Sequence, residues 1–293
     1  MGASPSATCE REPMTFEKLK QRVPGVVESE WHQHKNGGGW VENTATVENT
    51  AQVSGDAQVY DTAQVYGDAR VYGDARVCGR ARVYGNAQVY GDAWVSGNAH
   101  IYGDARVCGR ARVYGNAQVS GDAWVSGDVH IYGDARVCGD AQVYGHAQVY
   151  GTARVCDNVW VYGHAWVSGN AWVCGDVHIY GDARVCGDAQ VYGDAWVSGN
   201  AQVSGDAWKS SPTYIVGSRY EMYQTAADGS MIRSGCIEKP LNWWVENIAR
   251  CAEENGYTPE QIEEYVAYIA MFKRLHEIKA ANAEEIERLE GGE

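Results

Sequence analysis

Val65-Tyr66-Gly67-Asp68-Ala69-Arg70 is followed without a gap by Val71-Tyr72-Gly73-Asp74-Ala75-Arg76 and then by Val77-Cys78-Gly79-Arg80-Ala81-Arg82. From Val41 to Trp208 a Val or Ile returns at every sixth position, 28 hexads with no insertion or deletion, until Lys209 breaks the series. With Val as slot one, slot five is Ala, or Val at Val129, Val159 and Val177, while beyond the first two hexads slots two and six carry Tyr, Ser, Cys, Arg, Gln, Trp or His. Ala-x-Val-x therefore alternates inward and outward, which is the period of a strand. The Gly-Asp or Gly-Asn pair between strands is what a sharp corner requires, because these residues tolerate positive φ. Three such sides close a triangle, so 18 residues make one coil and each residue stacks on the one eighteen further along. The spacing predicts a mainly β protein, a triangular parallel β-helix of about nine coils, roughly 45 Å tall at ~4.8 Å between strands.

Composition agrees. Among 293 residues there are 35 Gly and only 6 Pro, without the three-residue period of collagen. No apolar run is long enough to span a bilayer, and the start, MGASPSATCEREP, has no apolar segment flanked by basic residues. A soluble, non-secreted protein of the cytoplasm of a bacterial or phage-infected cell is expected. The 9 cysteines lack the paired spacing of a zinc site, which points to reduced thiols. A net charge of −14 opposes long-range attraction to nucleic-acid phosphates or anionic membranes.

The flanks divide the chain into three parts: 1–40, an N-terminal segment and cap; 41–208, the β-helix; and 209–293, a small α+β domain. A short amphipathic helix is expected over 14–22, and Trp31-His32-Gln33-His34-Lys35-Asn36-Gly37-Gly38-Gly39-Trp40 leads into the first coil. After Trp208, Tyr214 to Gln224 and Met231 to Ile237 read as two strands joined through Asp228-Gly229. A helix follows from near Pro240, with Trp243, Trp244, Ile248 and Cys251 on one face. A second helix opens with Thr258-Pro259-Glu260-Gln261, a capping box with Pro at its first position, and aligns Ile262, Val266, Ile269, Phe272 and Leu275. Both flanks are expected to cover the open strand edges of the terminal coils, which otherwise invite end-to-end polymerisation.

The Val-at-one, Ala-at-five pattern resembles the hexapeptide-repeat left-handed β-helix superfamily over 168 of the 293 residues. Left-handedness is implied by that resemblance, since parallel crossovers are otherwise right-handed. The segments His32-x-His34-x-Asn36-Gly-Gly-Gly-Trp40, Gly217-Ser-Arg219 and Arg233-Ser-Gly-Cys236 also resemble the ends of uncharacterised repeat proteins of phages and prophages, a likeness that carries no activity. Many relatives with this coil are acyltransferases, generally trimeric, with a catalytic His between coils and a loop excursion. Here no loop leaves the coil, and the in-repeat histidines His100, His130, His146, His164 and His178 all keep the ordinary repeat phase. A general base needs an orienting partner and shelter. No catalytic residue, metal site or cofactor is expected.

Two outer surfaces stand out. One corner carries Asp68, Asn86, Asp104, Asp122, Asp140, Asn158, Asp176 and Asp194, an acidic edge suited to cations or a basic partner, though Asp and Asn are also ordinary corner residues. One face carries Trp124, Trp160 and Trp196 alternating with Gln142 and His178, beside Tyr144, Tyr162 and Tyr180. An oligomer interface ranks first for this face, shielding of backbone bonds second and a stacked ligand third. His146 and His164 share a corner with Asp128 and Asp182, and Cys138, Cys156 and Cys174 share a slot-two column, geometrically open to a strained disulfide. Near copies of one cassette begin at Ala93, Ala123 and Ala171, offset by 30 and 48 residues, so each lands on a different face. Duplication for tube length fits that better than one repeated ligand plane. The expectation is a non-catalytic binding or scaffolding solenoid that forms a homodimer or homotrimer and holds a protein partner. A phage inhibitor or sponge against a host-defence protein or nucleotide is the second reading, and an acyltransferase the third.

Overall fold

The structure, a computed structural model, describes residues 14–23, 25–193, 195–204, 207–208, 213–226 and 228–290. The chain divides into two compact units, Met1–His146 and Ala147–Glu293, and the division falls inside the run of hexads.

In the first unit the strands form three parallel sheets in which every third hexad returns to the same sheet. Gln58–Val59 pairs with Arg76–Val77, which pairs with Trp94–Val95, then Arg112–Val113 and His130–Ile131. The register is i to i+18 throughout, as in Val59 opposite Val77. The second unit repeats this: Trp160–Val161 pairs with His178–Ile179, and that strand with Trp196–Val197. Each side is shorter than the Ala-x-Val-x alternation suggests, since the extended ladder spans only two residues, slots six and one, in most hexads. Hydrogen bonding nevertheless continues around the corner: Arg70 N–H donates to Ala87 O at 2.9 Å, Tyr72 N–H to Val89 O at 3.0 Å, and Asn86 N–H to Gly103 O at 2.9 Å. The amides of slots six and two, joined in a number of hexads by that of slot four, thus point along the stack, which satisfies the backbone without long strands.

Slot-one Val or Ile and slot-five Ala or Val are fully buried from Val53 to Val203. This narrow apolar column is the core of each coil. The corners depend on Gly: Gly121 has φ +70°, and a Cβ there would lie 2.9 Å from the backbone N and O of Gly139 one coil on. Asn43 and Asn49 hold this slot in the first two hexads, and Asp61 takes it in the fourth, at φ +58°, where its carboxylate accepts the Gly79 N–H at 2.9 Å.

The N-terminal cap is built as a lid with its own small core. Helix α1, Phe16–Arg22, is capped by Thr15 and buries Leu19 with Met14, Trp31 and Trp40. Trp40 Nε1 donates to Met14 O at 2.7 Å, and Lys18 and Arg22 reach Asp56 at 2.8 and 3.2 Å. The strand Trp31–Gln33 runs antiparallel to Trp40–Glu42, closing an edge that a parallel coil would leave open. The glycines of the loop have a steric cause: a Cβ on Gly39 would meet Val53 Cγ1 at 2.6 Å, so only a bare backbone can bring its N–H to Val53 O at 2.8 Å. His34 is buried in this loop against Asn36, and exposed His32 bonds Asn43 Oδ1 at 2.9 Å, so both histidines serve the lid.

The C-terminal domain of the second unit has four antiparallel strands, Tyr214–Val216, Glu221–Gln224, Met231–Ser234 and Ile237–Pro240, where two were expected. Gly217 and the Gly235–Cys236 turn break each expected run. Helices α2, Leu241–Glu254, and α3, Pro259–Glu290, pack on this sheet around Met222, Ile232, Trp244, Tyr265, Ile269 and Phe272. Tyr265 takes the place expected for Val266, which is 40% exposed. The predicted capping box is present: Thr258 N–H donates to Gln261 Oε1 at 3.1 Å and Gln261 N–H to Thr258 Oγ1 at 3.4 Å. Arg233 reaches Gln202 Oε1 at 2.8 Å and Asn200 reaches Glu221 Oε2 at 3.0 Å, so this domain is hydrogen-bonded to hexads at the end of the repeat.

Candidate functional site

Because the core of each coil is one Val and Ala column, chemical variety is confined to slots two, four and six on the outside. Slot four supplies the acidic edge. Asp68, Asp104, Asp122 and Asp140 are exposed in the first unit and Asp176 in the second, while Asp194 lies outside the described residues. The edge is interleaved with amide donors: Asn86 Nδ2 donates to Asp104 Oδ1 at 2.8 Å, and Asn158 Nδ2 to Asp176 Oδ1 at 2.9 Å. Comparable ladders run from Asn98 through Asn116 to Asp134 and from Thr152 through Asn170 to Asp188. Stacked Asn and Asp therefore hold these corners together, and part of the accepting capacity of Asp104 and Asp176 is already used.

The aromatic face assembles in both units. Trp124 stands opposite Gln142 in the first, and Trp160, His178 and Trp196 follow one another as tilted rings with centroids 5.1 and 5.0 Å apart in the second. Tyr162 lies flat on Tyr180 at 5.1 Å, and Tyr144 is half-buried in its own unit. Trp124, Trp160 and Trp196 are 44, 38 and 53% exposed, so roughly half of each indole faces outward even after stacking. Trp94 in the first unit and Trp172 in the second are as open, at 38 and 46%.

A diagonal not anticipated from the i+18 columns joins slot two to the slot six found sixteen residues on. Trp94 Nε1 donates to Cys78 Sγ at 3.1 Å, Trp124 Nε1 to Cys108 Sγ at 3.3 Å, and His100 and His130 meet Tyr84 and Tyr114 edge-on at 6.5 and 6.4 Å. The signal was present in the spacing of Cys to Trp and Tyr to His. It explains why Cys78 and Cys108 are buried. Burial, with Arg82 beside His100 and Arg112 beside His130, holds both imidazoles below their ordinary pKa.

Of the His and Asp corner considered for a metal, His146 meets Asp128 at 3.6 Å in the open, and Arg110 takes the same carboxylate at 2.9 Å. His164 and Asp182 are exposed in the second unit. Three recesses also appear among the described residues. One of about 360 Å³ includes Asp68, Arg70 and Asn86. Another, about 430 Å³, sets Arg76, Arg110 and Arg112 around Trp94 and Asp92, a local positive patch that the chain's net charge conceals. The third, about 380 Å³ and mostly apolar, opens in the C-terminal domain among Tyr220, Ile237, Trp244, Ile248 and Tyr257. The sequence places Tyr220 and Ile237 in strands and Trp244 and Ile248 on a helix face, and gives no sign of a recess among them.

No helix among the described residues is long and apolar enough to cross a membrane. No curated protein matches the chain. The family model described as YdcK Beta solenoid repeat matches residues 63–79, 75–89, 87–103, 105–121, 117–133, 129–145 and 189–205. Each match spans two and a half to nearly three hexads, close to one turn of the coil. With three hexads per turn, buried Val and Ala columns and these matches together, the chain is a parallel β-solenoid repeat protein whose repeats are similar to the YdcK solenoid repeat.

Proposed function

We propose that this protein is a non-catalytic solenoid that binds or holds a partner protein, and that it self-associates as a dimer or trimer through its outer tryptophan rows. The observation that carries the reading is the half-exposed stack Trp160–His178–Trp196, apolar area of the kind that marks protein contacts on a chain otherwise rich in surface charge. Shielding of backbone bonds accounts for one face of each indole; the outward half is left to a partner. In support of a non-catalytic reading, His100, His130 and His178 pack against aromatic rings, and His146, which does meet a carboxylate, is exposed and shares Asp128 with Arg110. The inhibitor or sponge reading draws on the acidic edge, of which Asp104 and Asp176 are partly committed to Asn donors. Resemblance of the two ends to phage-borne repeat proteins motivates a phage or prophage origin.

The test is the solution mass of the chain and of Trp160→Ala combined with Trp196→Ala. The intact chain should weigh two or three times its 32.0 kDa, and the double variant should be monomeric with an unchanged melting curve. A monomeric intact chain at micromolar concentration would retire the reading. Thermal stabilisation by acyl-CoA would instead favour the acyltransferase.

A further inference from the structure

The corner at Cys156 departs from the repeat. Where nearly every hexad has Gly, the second unit has Asp157, at φ +62°. Cys156 lies directly before it and Cys174 one coil on, their strands in register through Val155 opposite Val173. The two sulfurs and a carboxylate oxygen of Asp157 all lie within 4.8 Å of one another. Both thiols are half-buried and Asp157 is exposed, so the cluster opens to solvent on one side. None of the three residues falls in a segment matched by the solenoid repeat model.

The Asp61 corner in the first unit serves as an internal comparison. There too an Asp in left-handed conformation accepts the N–H of the Gly one coil on, at 2.9 Å, as Asp157 does from Gly175 at 3.2 Å. That bond accounts for the carboxylate at both corners. It does not account for the second thiol, because the residue equivalent to Cys156 is Tyr60, and the remaining Cys78 is buried. Two accessible sulfurs beside a carboxylate are particular to the corner at Cys156.

Zinc–sulfur bonds are about 2.3 Å, so two thiolates on one ion stand no more than about 4.6 Å apart, which the spacing of this cluster accommodates with little movement. One oxygen of Asp157 bonds the Gly175 N–H, a common arrangement for a ligating carboxylate whose other oxygen meets the metal. We propose that Cys156, Asp157 and Cys174 form a binding site for one thiophilic divalent cation of the zinc type, with water completing a four-coordinate shell. On binding, the two thiol protons leave to solvent and two metal–sulfur bonds form, with no change of oxidation state.

The probe is Co2+, added to the full chain after reduction and removal of the reductant under inert gas. One equivalent should produce a thiolate-to-cobalt charge-transfer band, abolished by added Zn2+. Cys156→Ser and Cys174→Ser should each remove the band, Asp157→Asn should weaken Co2+ binding at least tenfold, and Cys186→Ser should change nothing. Slot two already carries Ser at Ser168 and Ser198, so these variants are expected to fold. Should one fail to fold, the intact chain still decides: Zn2+ should slow iodoacetamide labelling of Cys156 and Cys174, located by peptide mass, and leave Cys236 labelling unchanged. Absence of the band in the intact chain, its survival in both Cys→Ser variants, or unprotected Cys156 and Cys174 would overturn the proposal.

Discussion

At the scale of single residues, the molecule is governed by what can stand 4.8 Å from its own copy. Gly121 is held at φ +70° with Gly139 backbone 2.9 Å from where a Cβ would go. Gly121→Ala should therefore destabilise the chain by at least about 1–2 kcal/mol from the left-handed backbone alone, read as a lower denaturation midpoint. Gln58 is the opposite case. It is fully buried beneath the N-terminal lid, and both polar atoms of its side chain lack a partner among the described residues. Gln58→Leu should raise the melting temperature by relieving a desolvation cost of about 1–3 kcal/mol; an unchanged or lower value would mean that the amide is bonded to water. His100 and His130 carry a pH dependence, since burial and their neighbouring arginines depress their folded-state pKa. The unfolded chain then takes up protons first as pH falls. The stability owed to the neutral imidazoles is complete above the ordinary value of about 6.5 and is lost as pH drops from there through the folded-state value. The double variant His100→Gln, His130→Gln should show a flatter loss of denaturation midpoint across that window.

At the scale of elements, the ends matter more than the middle. Interior strands of each unit are interchangeable two-residue steps, whereas the lid and the C-terminal domain are individual structures with their own cores. Trp40 ties the lid together through the Met14 carbonyl and the Phe16 ring, 5.6 Å away. Trp40→Ala should loosen the strand Trp31–Gln33 and expose sheet edge, giving concentration-dependent end-to-end polymers by light scattering while the coil's circular dichroism persists. In the C-terminal domain Thr258→Ala should cost α3 about 1 kcal/mol by removing the acceptor for the Gln261 N–H, seen as faster amide exchange in its first turn.

At the scale of the whole molecule, periodicity separates folding from recognition. Every hexad offers the same inward residues, so removing a whole number of them should leave a foldable chain, yet only a full turn of three restores each outer row to its face. Deleting residues 105–122 should thus preserve both melting behaviour and oligomeric mass. Deleting residues 165–170 alone should preserve folding but disrupt assembly, because Trp160 then no longer shares a face with His178 and Trp196. Intact assembly in the six-residue deletion would show that the rows do not make the interface.

What the sequence alone determined is whatever repeats. The Val and Ala columns, the i+18 register and the glycine corners follow from local rules that the chain applies again and again, and the capping box at Thr258 from a local rule applied once. The tertiary structure decided what depends on distance between unlike residues: the sixteen-residue diagonal joining Cys to Trp, the Asn donors along the acidic edge, the burial of Tyr265 in place of Val266, and the convergence of Cys156, Asp157 and Cys174. Periodicity places a residue in a column, but the side chain's length and lean across the coil select the neighbour it meets, and that choice is made only when the coils are stacked.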